Sequence, residues 1–119
     1  MADHTASKTG GSALIASDRV EGTAVYGTDG KRLGTVQHIM IDKRSGQAEY
    51  AVMTFGGFLG IGEDRYPIPW SKLTYDTGKG GYRIDIDRKL LDEAPRYPAD
   101  DRPVYDSVFN TQIGAYYGF

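Results

Sequence analysis

The chain has 119 residues, 39% of them hydrophobic and 25% charged, the balance of a single globular domain whose core is only just large enough to fold unaided. Fourteen basic against sixteen acidic residues leave a net charge of −2, which gives no electrostatic reason to expect nucleic-acid binding. There is no cysteine, so disulfides, thiol catalysis and thiolate metal sites are excluded, and no apolar run reaches the ~18 residues needed to cross a bilayer as a helix.

Residues 1–17 are rich in Ala, Ser, Thr, Gly and Asp and are expected to form a flexible leader. The polar stretch Met1–Gly11 lacks the apolar core of a secretory signal, so a cytoplasmic location is expected. Asp18 to Tyr26 reads as a first strand, and Asp29-Gly30 between two β-like runs predicts a hairpin turn. Leu33 to Asp42 is the clearest strand. Within it Val36 is out of phase with Ile39 and Ile41, which predicts a bulge or strong twist between Gly34 and His38. After a polar turn at 42–46, Gln47 to Phe55 is apolar on both faces, the mark of a central strand.

Gly56 to Gly62 follows, with four glycines in seven positions holding Phe58, Leu59 and Ile61. Arg65 to Pro69 is a short strand that Pro67 and Pro69 confine to an edge or an irregular crossing. Trp70 to Leu73 reads as a helical turn leading into Thr74–Asp76, and a glycine turn at 77–81 precedes the clean alternation of Tyr82 to Asp87. Five or six short strands joined by tight turns predict an all-β fold, a small barrel. Asp87 is placed to cap a short helix through Arg88–Ala94, which Pro95 stops. From residue 95 onward the chain is polar and then aromatic, and Asp106–Tyr117 reads as a short helix that Gly114 weakens.

The glycine-rich stretch does not have the spacing of a dinucleotide fingerprint or a phosphate loop. The glycines read first as a turn set by backbone geometry, and the alternative is an exposed apolar tip on which Phe58, Leu59 and Ile61 contact a protein partner. His38 and Asp42 on one strand lie about 13 Å apart, too far to share a metal, and the paired carboxylates Asp85 and Asp87 face away from the apolar side. No serine stands in a nucleophile elbow, so neither catalysis nor a cofactor or metal is expected. Trp70 is expected to plug the barrel or seal it under the glycine loop, with ligand stacking as the alternative. The tail aromatics Tyr105, Phe109, Tyr116 and Tyr117 are too large to leave in water. They either cap their own barrel or form an arm exchanged in a homodimer, and the dimer is the favoured expectation.

Val25-Tyr26-Gly27-Thr28-Asp29-Gly30-Lys31-Arg32-Leu33-Gly34-Thr35-Val36 is followed in order by Ile39-Met40-Ile41-Asp42, Ser45-Gly46, Tyr50-Ala51-Val52, Gly57-Phe58-Leu59-Gly60-Ile61-Gly62 and Tyr66-Pro67-Ile68-Pro69-Trp70-Ser71-Lys72-Leu73. This ordered set resembles the PRC-barrel domain over roughly residues 19–94. The resemblance implies a compact, strongly bent β-barrel over 18–94, with the leader at 1–17 and a C-terminal extension at 95–119 that packs on the barrel or on a second subunit. Barrels of this family occur in the cytoplasmic part of the H subunit of photosynthetic reaction centres, in a ribosome maturation factor and in small stand-alone bacterial proteins, to which this chain is most similar. What the resemblance implies is a non-catalytic binding or assembly module. The alternative is a small-ligand or cofactor-binding barrel using the glycine loop and Trp70.

Overall fold

The computed structural model describes residues 13–55 and 64–118. Among these residues seven strands form one sheet: β1 (Ala24–Tyr26), β2 (Arg32–Ile41), β3 (Ala48–Phe55), β4 (Asp64–Pro69), β5 (Leu73–Asp76), β6 (Gly81–Ile84) and β7 (Tyr97–Pro98). They are arranged in the order β5-β6-β1-β2-β3-β4-β7. Every neighbouring pair is antiparallel except β1 with β6, where Val25 faces Tyr82 in a parallel ladder. The sheet is not closed, but it is all-β and barrel-like around one core in which Val25, Val36, Met53 and Ile68 are wholly buried. Seven strands stand where five or six were expected; the seventh, β7, comes from the C-terminal extension and pairs Tyr97 with Arg65 and Pro98 with Asp64.

Local chemistry explains most of the turns. Asp29, Asp42 and Asp76 each accept, through a side-chain oxygen, the N–H of the residue two further on, at 2.9 Å in all three cases. Each of these turns ends in a glycine at positive φ: Gly30, Gly46 and Gly80. The amides of Ser45 and Arg44 hold the Asp42 carboxyl below its ordinary carboxylate range. In β2 the ladder to β3 skips a residue between Val36 and His38, the bulge that the phase of Val36 predicts; it lets Val36 point into the core although it breaks the alternation. β3 pairs along both edges, and its middle residues Ala51, Val52 and Met53 are all buried, as a strand apolar on both faces requires. Beyond it, Pro67 and Pro69 sit on β4 two residues apart, so both missing N–H groups fall on the same outer side.

Three local expectations are corrected. The segment from Asp18 does not begin as a strand: α1 (Ser17–Val20) is one helical turn, and Gly22 at φ 84° ends it before β1. Buried Val20 holds that turn against the core, and Thr23 donates to the Arg19 carbonyl at 2.5 Å. Helix α2 is only Arg88–Leu91, and the Asp87 side chain makes no capping hydrogen bond; its carbonyl instead accepts the Leu90 N–H. The aspartate cap operates further on, where Asp106 accepts the Phe109 N–H at 2.9 Å and opens α3 (Ser107–Tyr117), eleven residues that Gly114 does not interrupt. Gly118, at φ 88°, closes that helix.

Candidate functional site

Helix α3 has no charged residue, and Val108, Asn110, Thr111, Gly114 and three aromatics are all poor intrinsic helix formers. An isolated helix of this length and composition is not stable in water, so its order comes from what it packs against. Its buried side carries Phe109, Ile113 and Tyr117 at helical spacing, and Ile113 and Tyr117 belong to the main core. This side packs against β4, the strand that carries Pro67 and Pro69 and that β7 follows at the end of the sheet.

An aromatic cluster continues the seat. Phe109 stands edge-on to Tyr105 with ring centroids 5.0 Å apart, and Tyr105 lies 5.5 Å from Tyr50 of β3. Tyr97 of β7 contacts Tyr105 and Phe109, and the hydroxyls of Tyr97 and Tyr105 are 2.8 Å apart. Polar bonds fix the register of the helix: the Tyr50 hydroxyl donates to Asn110 Oδ1 at 2.9 Å, and Asn110 Nδ2 donates to the Tyr105 carbonyl at 3.1 Å. The Tyr116 hydroxyl donates to the Leu90 carbonyl, tying α3 to α2. Burial pushes the Tyr105 and Tyr117 phenols far above their ordinary range, so both stay neutral.

The structure thus brings together Tyr105, Phe109, Tyr116 and Tyr117 on one side of the barrel. It places Trp70 elsewhere: half-buried in a short 3₁₀ turn, 5.5 Å edge-on from Tyr82 of β6, in an aromatic set that makes no ring contact with the first among the described residues. Phe58, Leu59 and Ile61 lie outside the described residues. Two partners of the seat, Tyr50 and Asn110, were not singled out from sequence, because nothing local to either residue reveals a contact across sixty positions. Among the described residues no group of three or more His, Asp or Glu side chains is placed to hold a metal, and no helix is long and apolar enough to cross a membrane.

Beside the helix, a shallow groove is lined by Asp92, Glu93, Arg96, Gln112 and Tyr116. Its cation is already engaged: Arg96 donates to the Asp92 carbonyl at 2.9 Å, pairs with Asp64 at 3.5 Å and lies over the Tyr66 ring. Among the described residues, the Tyr117 hydroxyl is buried without a hydrogen-bond partner. Tyr117→Phe is therefore expected to raise unfolding free energy by about 1 kcal/mol, read from urea melts followed by circular dichroism.

His38 sits half-buried at the β2 bulge, opposite Val52. Burial first, then the positive charges of Arg102 and Arg65, push it below its ordinary 6.5, while Glu21 pulls the other way. Because the folded value is the lower one, the unfolded chain takes up the proton first as pH falls. Stability from this group is full above the unfolded value and is lost as pH drops through the folded one. Thermal melts between about pH 7 and about pH 5 should fall with pH, and His38→Gln should flatten that slope.

A seven-stranded, unclosed sheet with an aromatic helix packed against β4 is a small all-β barrel-like domain carrying an added C-terminal cover. A model of the PRC-barrel domain family matches residues 14–91, and the chain belongs to that family. No curated protein matches it. The family match ends at Leu91, the last residue of α2, so β7 and α3 lie beyond the matched barrel.

Proposed function

We propose that this PRC-barrel protein is a non-catalytic protein-interaction or assembly module, cytoplasmic and homodimeric. The observation that carries the reading is the uncharged aromatic helix beyond the family barrel, seated against β4 and the core by Phe109, Ile113 and Tyr117. A helix that folds only against a surface is a natural contact element between subunits or with a protein partner. The glycine-rich stretch, through Phe58, Leu59 and Ile61, is the second proposed contact. Light scattering on the full chain across the micromolar range tests the homodimer: a dimer mass is expected, and a monomer mass at every concentration removes it.

The second reading, a small-ligand barrel, draws on the partly buried Trp70 ring, which stands edge-on to Tyr82. A saturable change in tryptophan fluorescence against a metabolite library, abolished in Trp70→Phe, is the result that reading requires.

A further inference from the structure

The sheet carries a second buried patch on the side away from the main core. Ala51 and Met53 of β3 point into that core, so Val52 between them points the other way. Val52 is nonetheless fully buried, and it stands outside the core cluster. Pro67, its partner across the ladder on β4, is buried too, as is Tyr97 of β7, which pairs with Arg65. The segment between β7 and α3 covers this patch. It leaves β7 at Pro98, beyond β4 at the end of the sheet, and its far end, Tyr105, packs on Tyr50, which shares a side of β3 with Val52. Residues 99–105 therefore pass over β4. Arg102 and Val104 are exposed while Pro103 and Tyr105 are half-buried, the alternation of an extended segment with one side against the sheet.

His38 stands at the rim of the patch, half-buried at the β2 bulge and facing Val52 across the ladder. The charges that act on it come from three elements: Arg102 of the covering segment, Arg65 of β4 and, with opposite sign, Glu21 after α1. A proton on His38 adds a further positive charge beside Arg102 and Arg65, in a place that is partly dehydrated. Lifting the segment carries Arg102 away and lets water reach the ring. Since the covered form binds the proton less well, protonation must in turn favour the lifted form.

We propose that residues 99–105 are a proton-sensitive strap: a proton on His38 loosens it from β3 and β4 while the barrel beneath stays folded. The strap is closed above pH 6.5, the ordinary value of an uncovered histidine, and gives way as pH falls below it. The chain has no cysteine, so a single one placed beneath the strap reports its opening. Val52→Cys is labelled with a thiosulfonate reagent at about pH 7 and about pH 5.5, and its rates are divided by those of exposed Val108→Cys to remove the titration of the thiol itself. Ala51→Cys, the neighbouring position but buried on the core side, is the control for general unfolding. The relative rate at Val52→Cys is expected to rise several-fold at the lower pH, that at Ala51→Cys to stay level, and the rise to vanish when His38→Gln is added. No rise at Val52→Cys, an equal rise at Ala51→Cys, or a rise that survives His38→Gln overturns the proposal. Should Val52→Cys fail to fold, Pro67→Cys reads the same patch from β4.

Discussion

Gly34→Ala is expected to be among the most damaging single substitutions in the chain, costing on the order of 4 kcal/mol. Gly34 lies in β2 directly opposite Phe55 of β3, and a Cβ there would fall on the Thr54 carbonyl oxygen and 2.9 Å from the Phe55 Cα. Both obstacles are backbone, so no rotamer change relieves them; the two most extensively paired strands would have to separate. Against a total stability of roughly 5–15 kcal/mol, this removes a large share. Gly46→Ala is the control. Its Cβ meets nothing within 4 Å, and only the positive φ of 76° resists it, so about 1 kcal/mol is expected. Urea midpoints of the two variants make the comparison, and equal midpoints would mean that β2 and β3 do not approach so closely.

Ile113→Ala is expected to cost about 2–5 kcal/mol, because the side chain is fully buried where α3 meets the core. Val108→Ala, one turn earlier on the exposed side, should fall within about 0.5 kcal/mol of wild type. The loss at Ile113 should also be local. With no charge pairs and weak propensity, α3 depends on this contact, so its amides should exchange with solvent long before those of β2 and β3. Amide hydrogen exchange on the full-length variant reads this directly. A uniform loss of protection across the barrel would show that helix and sheet open as one unit.

These two sites differ in how far they can be read from the chain alone. The bulge near Val36, the central position of β3 and the inward set Tyr82, Ile84 and Ile86 are all legible, because a strand's side chains alternate and a break in alternation has few causes. The aspartate–glycine turns are legible because their hydrogen bonds reach only two or three residues. Helix caps were legible only in part: Asp87 and Asp106 look alike in sequence, yet only Asp106 accepts an N–H through its side chain. Which aspartate caps depends on how each following segment packs. The α1 turn escaped because Asp18–Tyr26 has the apolar content of a strand, while Gly22 breaks it into two elements.

By itself the sequence determined an all-β fold, the order of most strands and turns, the absence of thiol chemistry, and the kinship to one barrel family, since each rests on local periodicity, turn chemistry or composition. Only the tertiary structure decided that β1 and β6 pair in parallel, that the extension supplies a seventh strand, and where the tail aromatics go. Tyr50 and Asn110 meet across sixty residues, and Tyr116 reaches back to Leu90. Contacts of that range leave no periodic trace in the chain. They exist because an apolar helix with no charge of its own must cover something, and the core beside β4 is where Ile113 and Tyr117 are buried.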